Sequence, residues 1–370
     1  GMYRVIDFAL TNLSASGVPD VGILSQYRPA SLMEHVGIGR DWDYNGRTRE
    51  LMFLPPFQGT KDVDWYKGTA DAVCQNLHVI ERYKPRDVLV LAADHVYRMD
   101  YAPIVDFHRR RGADATVVFK RMDCGRPSRF GVGVLNAHQR VVEYHEKPAD
   151  PPSDLASLTI YVFRTEALVA RLKENADTGR TFHIYDEVLP GMVAEGRVAG
   201  WVHEGPWEYL RPLPAYFDAH MRLLRDAEAR SVLQGMLTNI EHQGIGEAAP
   251  AVFADDGDAR RSLVSPGARI AGRVVDGVLF PFVHVDADAS VSESVLLHGV
   301  KVGRGATLSR AVVDKDVAIG EGATLEGGDR LVAVGKSARI GRGARLLPGA
   351  VVGVGEVVPD GAVIGGEGTP

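Results

Sequence analysis

Two rhythms of hydrophobic positions divide this chain. Up to about residue 230, short continuous aliphatic runs alternate with stretches that space apolar residues three and four apart. The run at 87–94, Asp-Val-Leu-Val-Leu-Ala-Ala-Asp, reads as a central strand buried on both faces, and similar runs recur at 21–24, 116–119, 132–135 and 158–163. Between them, 69–83 sets Val73, Leu77 and Ile80 on one helical face with Cys74 beside them, and 165–173 is a second helical stretch. Strands alternating with helices predict an open, mostly parallel α/β sheet, and such sheets take ligands at the carboxyl ends of their strands. Asp94, just past its strand, falls in that place.

From about residue 263 the period becomes six. Val334, Ile340, Leu346, Val352, Val358 and Ile364 keep the step without a break, and Ala338, Ala344 and Ala350 follow it in parallel. An aliphatic residue every six positions, with small residues between, predicts a parallel β-helix of hexapeptide coils, aliphatic side chains inward and Gly or Ala at the corners. A flexible Gly-rich tail would show no fixed period. The expected organisation is a ligand-binding domain over 1–232, a linker over 233–262 and the β-helix over 263–370. The irregular stretch carrying Glu247-Ala248-Ala249-Pro250 and Ala254-Asp255-Asp256-Gly257-Asp258 suggests the linker.

Composition narrows the class. A length of 370 residues suits two domains, and 45% hydrophobic with 24% charged residues is ordinary for a soluble globular protein. Of the 41 glycines, 19 fall in the last hundred residues, and this uneven distribution reinforces the boundary. No stretch approaches the roughly 18 apolar residues of a membrane span, and the first residues do not read as a signal peptide. Cys74 and Cys124 cannot build a disulfide framework and are expected to fill packing space, so the cytoplasm is the expected compartment. A net charge of −6 argues against a nucleic-acid binder but not against small anionic ligands.

Three segments carry candidate chemistry: Trp65-Tyr66-Lys67-Gly68-Thr69-Ala70-Asp71-Ala72-Val73, Ala93-Asp94-His95-Val96-Tyr97-Arg98-Met99-Asp100-Tyr101, and His145-Glu146-Lys147-Pro148-Ala149. In this order, followed by hexapeptides, the chain resembles the ADP-glucose pyrophosphorylases (glucose-1-phosphate adenylyltransferases). Tyr3-Arg4-Val5-Ile6-Asp7-Phe8, Leu24-Ser25-Gln26-Tyr27, Phe130-Gly131-Val132 and Ala156-Ser157-Leu158-Thr159-Ile160-Tyr161 extend the likeness. The resemblance implies a Rossmann-like nucleotidyltransferase domain followed by a left-handed β-helix. It implies joining of ATP and glucose 1-phosphate into ADP-glucose on the way to glycogen, with ATP favoured over the UTP and dTTP of related enzymes.

The same resemblance assigns roles. Asp94 matches the ligand of a Mg²⁺ that neutralises phosphate charge, a task for hard oxygen donors. Lys147 matches the lysine on the phosphate of glucose 1-phosphate, and Glu146 the carboxylate that accepts from sugar hydroxyls. Tyr66 and Ser157 are expected on the sugar side, with Gly131 in the same site. Gly68 and Thr69 are expected to present backbone to the nucleotide, and Gln26 to lie near the nucleobase. Without the flanking motifs, an Asp in such a place is more often a helix cap and a Glu-Lys pair the polar end of a strand.

Two departures bear on turnover. The family opens with a Gly-rich loop, G-G-x-G-T-R-L, that grips the triphosphate, and this sequence begins downstream of it with no substitute loop in 1–230. Where the family has W-R-D-V-G-T, the chain reads Trp207-Glu208-Tyr209-Leu210-Arg211-Pro212, so Tyr209 replaces a second metal-holding Asp. A neutral phenol is a poor Mg²⁺ ligand, its pKa being about 10. Thr159 stands where many members have Gly. An active adenylyltransferase is the first expectation; the alternative is a weakly catalytic or non-catalytic regulatory homologue that binds sugar phosphate or nucleotide sugar. A homotetramer is expected, or on the alternative a hetero-oligomer with a catalytic paralogue. Hexapeptide β-helices also host acyltransferases with a histidine base, but His284 and His298, the histidines of the repeats, sit in no such constellation.

Overall fold

The computed structural model describes residues 2–27, 29–56, 65–126, 128–178 and 183–365. The chain forms two compact units, one of Ile6–Gly205 and one of Pro206–Pro370 with Gly1–Val5.

In the first unit the expected aliphatic runs are strands. Leu155–Arg164 lies at the centre of a six-stranded sheet, antiparallel to Asp87–Leu91 and to Ala115–Arg121. Ala115–Arg121 pairs in parallel with Val198–Val202, and Val132–Leu135 pairs antiparallel with Val141–His145. The sheet is therefore more mixed than the aliphatic runs suggest, because a run buried on both faces reports burial and not direction. Asp20–Leu24 and Glu50–Leu54 form a separate parallel pair. The helical stretch 69–83 is two helices, Thr69–Gln75 and Leu77–Tyr83, parted at Asn76. Val73 packs in the core with Leu77 and Ile80 beside it, as their spacing requires.

The central strand is irregular at one point. Val117 pairs with Tyr161 but Phe119 with Ser157, so Leu155–Arg164 carries two extra residues here. Thr159, in the middle of the bulge, takes a left-handed backbone at φ 53°. A β-branched residue there is strained, which explains why Gly suits this position.

The second unit is a parallel solenoid. Its strands stack coil on coil in register, as in Arg269, His284, Lys301, Ala318, Arg339 and Val357 along one face. The six-residue ladder points inward: Val334, Ile340, Leu346, Val352 and Val358 are all buried in one continuous core with Ala338, Ala344 and Ala350. At one corner Asp288, Gly305, Gly322, Gly343 and Gly361 all adopt left-handed backbones, and this stack supplies four of the solenoid's glycines. Solenoid strands already appear at Val252–Phe253 and Asp258–Arg260, inside the stretch assigned to a linker. The Asp-Asp-Gly segment that read as loop turns a coil corner, where the Gly257 amide donates to Ala254 at 2.9 Å. Helix Leu213–Arg225 packs Phe217, Met221 and Leu224 onto Val278, Val295 and Val312 of the solenoid. Among the described residues no helix is long and apolar enough to cross a membrane.

Candidate active site

The strand Val141–His145 ends in the Glu146-Lys147 pair, and the site is built outward from it. Lys147 adopts a left-handed backbone, φ 45°, which for a lysine is a strained choice of the kind that marks functional positions. The turn beyond it is fastened where the Ser128 amide donates to Pro148 at 2.9 Å. The ammonium of Lys147 lies 3.4 Å from Glu146 Oε1 and 5.8 Å from the centre of the Tyr185 ring. It stays 56% exposed, against 22% for the Glu146 side chain, so the cation is offered to solvent and the carboxylate is sheltered. Burial pushes Glu146 above the usual carboxylate range; Lys147 opposes this and the nearby Asp186 adds to it.

Beneath Glu146 lies a set of hydroxyls. Tyr144, two residues earlier and so on the same strand face, places its hydroxyl 3.4 Å from Glu146 Oε2. Burial pushes its phenol well up, and that of Tyr161 to about 12, so both act as neutral hydrogen-bonding groups. Ser157 is itself buried, and its Oγ accepts from the Thr159 amide at 3.4 Å. Its hydroxyl thus faces the backbone of the bulge at Thr159. Gly131 leaves room for this packing. A Cβ there would collide with the Tyr144 hydroxyl and come within 2.9 Å of Glu146 Oε2. The Gly131 carbonyl accepts from the Ser157 amide at 2.8 Å.

Asp94 joins the same region through the bulge. The Ala92 amide donates to the Thr159 carbonyl at 3.0 Å, so the turn carrying Asp94 is tied to the residue two past Ser157. Its carboxylate is 46% exposed and sits 3.2 Å from His95 Nε2. Among the described residues no three His, Cys, Asp or Glu side chains gather as a metal cage. A lone exposed carboxylate does fit Mg²⁺, which commonly binds through one or two carboxylates and completes its shell with phosphate oxygens and water.

The opposite rim is formed by 65–69. Gln26 clasps Tyr66 at both main-chain groups: its Oε1 accepts from the Tyr66 amide at 2.6 Å and its Nε2 donates to the Tyr66 carbonyl at 3.4 Å. Gln26 therefore holds this loop, whatever else it touches. Tyr66 is buried, its hydroxyl donating to Leu54 at 2.7 Å and accepting from Asn76 at 2.9 Å. The resemblance places Tyr66 on the sugar; in the structure its hydroxyl donates one hydrogen bond and accepts another within the protein, which braces the loop. Gly68 is extended, φ 170°, a conformation open to any residue, so its backbone does not demand glycine. Exposed Thr69 accepts at Oγ1 from the Ile184 amide at 3.0 Å, while its own amide faces His183 Nδ1 at 3.5 Å.

Tyr144, His183, Tyr185 and Asp186 are not among the expected site residues. Strand alternation from Glu146 points to Tyr144, but no motif marks the other three. Tyr209, in the other unit, stands on the short strand Trp207–Tyr209 with its ring stacked at 6.4 Å on Trp207. His298 lies 3.9 Å from Asp316 and edge-on to Phe282, contacts of a packing residue. Cys74 and Cys124 are free thiols whose pKa burial raises, which fits packing.

Comparison with known proteins bears on this geometry. Residues 1–226 match the nucleotidyl transferase family and residues 249–330 the GlmU-like C-terminal hexapeptide family. The glucose-1-phosphate adenylyltransferase of Halalkalibacterium halodurans is 36% identical over 79% of this chain and 76% of its own length. That of Clostridium acetobutylicum is 35% identical, covering 79% and 77%, and that of Thermotoga neapolitana 37%, covering 77% and 68%. The chain belongs to the glucose-1-phosphate adenylyltransferase family.

Proposed function

We propose that this chain is a glucose-1-phosphate adenylyltransferase: a phosphate oxygen of glucose 1-phosphate attacks the α-phosphorus of ATP, forming ADP-glucose, and pyrophosphate leaves. The observation that carries the reading is the exposed Lys147 ammonium beside the sheltered Glu146 carboxylate. A point cation compensates the phosphate of the sugar, and a carboxylate next to it accepts from sugar hydroxyls. Tyr144, with its hydroxyl 3.4 Å from Glu146 Oε2, keeps Glu146 oriented, so the acceptor is set before the sugar arrives. Asp94 would hold Mg²⁺, which supplies charge neutralisation at the phosphates when bound. Both substrates are cytoplasmic metabolites and the product feeds glycogen synthesis, so the cytoplasm is the proposed site of action. The solenoid supplies long flat faces, and we take the working assembly to be a homo-oligomer, for which tetramer mass in light scattering is the check.

One observation favours a second reading. Tyr209 stands where the resemblance places an acidic metal ligand, and a phenol cannot replace it. On that reading the chain binds its ligands and regulates a catalytic paralogue. The protein as the cell makes it, incubated with ATP, glucose 1-phosphate and Mg²⁺ and followed by mass spectrometry, separates the two. Formation of ADP-glucose and pyrophosphate supports the enzyme. Sugar-phosphate binding without product supports the regulator. In the latter case Tyr209→Asp should restore turnover if only this ligand was lost.

A further inference from the structure

The turn at 183–188 lies outside every motif that the resemblance carries, yet it touches both halves of the site. Residues Ile184–Val188 form a single π-helical turn, a rare winding that recurs at functional sites. Four contacts give it a purpose. Tyr185 offers its ring face to the Lys147 ammonium at 5.8 Å. That ring also stacks on the His183 imidazole, at 4.8 Å between centres and 11° between planes. His183 and Ile184 are in turn fixed to the opposite rim, through His183 Nδ1 at 3.5 Å from the Thr69 amide and the Ile184 amide at 3.0 Å from Thr69 Oγ1.

We propose that Tyr185, seated on His183, is a positioning residue for Lys147. Lys147 has a long flexible stem on a strained backbone and is more than half exposed, so its ammonium would sample many positions unaided. Glu146 alone draws it towards the sugar-hydroxyl side. The Tyr185 ring supplies a second anchor that does not compete for the phosphate, because an aromatic face attracts a cation while leaving its N–H donors free. The anchor is rigid because the π-helical turn is pinned at Thr69. Hence Lys147 is preorganised by the same segment that borders the nucleotide side, and disturbance at Thr69 reaches the sugar-phosphate seat through His183 and Tyr185.

The inference rests on Lys147 being the sugar-phosphate residue, and its test keeps the two ideas apart. Glucose 1-phosphate is titrated calorimetrically into the wild-type chain, Tyr185→Leu and Tyr185→Phe. Loss of the ring should weaken binding roughly 3- to 30-fold, the range of a partly desolvated cation–π contact. Tyr185→Phe, which keeps the ring, should stay within about twofold, a rescue that a merely space-filling role would not separate from Leu. His183→Ala, which removes the seat, should fall between them. Should the Leu variant fail to fold, Tyr185→Gln, of similar reach without a ring, carries the same expectation. Wild-type affinity in the ringless variants overturns the positioning role. A wild-type chain that binds no glucose 1-phosphate removes the Lys147 assignment itself.

Discussion

At Gly131 the space for one carbon decides the shape of the site. The hydroxyl of Tyr144 and the carboxylate of Glu146 converge on its α-carbon, and no Cβ fits between them. Gly131→Ala should therefore push Glu146 aside and weaken glucose 1-phosphate binding about tenfold, the cost of one misaligned charged hydrogen bond. Tyr144→Phe in the same chain removes the colliding oxygen and should recover part of the loss, which a calorimetric double-mutant cycle would read as coupling. Thr159 is the converse case, a side chain where glycine fits better. Its left-handed backbone costs a β-branched residue roughly 1–2 kcal/mol. Thr159→Gly should accordingly change urea stability by less than about 0.5 kcal/mol, strain relief offsetting the greater entropy of the unfolded glycine chain. Thr116→Gly, at a buried ordinary strand position with a hydroxyl bond to His108 at 2.8 Å, should cost about 2 kcal/mol or more. The motif around Ser157 and Thr159 is plain in the sequence, but the bulge that explains it is not. A two-residue slip of register leaves no periodic trace in a ten-residue, mostly apolar strand.

Helices and strands were legible where periodicity had room to act. The strand runs lie within a few residues of their expected places, and the apolar face of 69–83 is the buried one. The break at Asn76 was not legible, because it depends on a side chain that bonds the Tyr66 hydroxyl and the Ala72 carbonyl, each at 2.9 Å. The opening strands of the solenoid were likewise hidden by irregular coil lengths around Asp255-Asp256-Gly257. Helix Leu213–Arg225 illustrates how burial within one element creates a pH response. His220 donates from Nδ1 to the Tyr216 carbonyl at 2.8 Å and is otherwise enclosed by the Tyr216 and Phe280 rings. Burial lowers its pKa from 6.5 to about 3. In the unfolded chain the imidazole takes up a proton near pH 6.5, whereas the folded unit resists until about pH 3. Stability is thus lost as pH falls between those values, at roughly 1.4 kcal/mol per pH unit, and no further below them. The His220→Asn variant keeps a donor for Tyr216 and does not titrate. Its urea stability between pH 7 and pH 5 should fall by roughly 2 kcal/mol less than that of the wild type.

Across the whole molecule, the two rhythms of the sequence became two units of different construction. The solenoid repeats one solution coil after coil, so a few positions of the period define its interior. One corner shows the same economy in charge. Arg261, Asp276, Glu293 and Arg310 share left-handed backbones, and ion pairs join Arg261 to Asp276 and Arg310 to Glu293. The α/β unit repeats nothing, and its site gathers residues from Gln26 to Asp186 that only the fold brings together. The Glu146-Lys147 and Asp94 motifs were readable because their chemistry is local. The supporting tyrosines and the 183–188 turn were not, since their role lies in contacts far along the chain.

On the proposed reading Lys147 receives the phosphate of glucose 1-phosphate, and calorimetric titration of that ligand into wild type and Lys147→Gln decides the point. A charge-assisted contact of this kind predicts at least about tenfold weaker binding for Lys147→Gln, with the unfolding transition unchanged. Equal affinity in the two proteins would contradict it and move the sugar-phosphate seat away from the end of this strand.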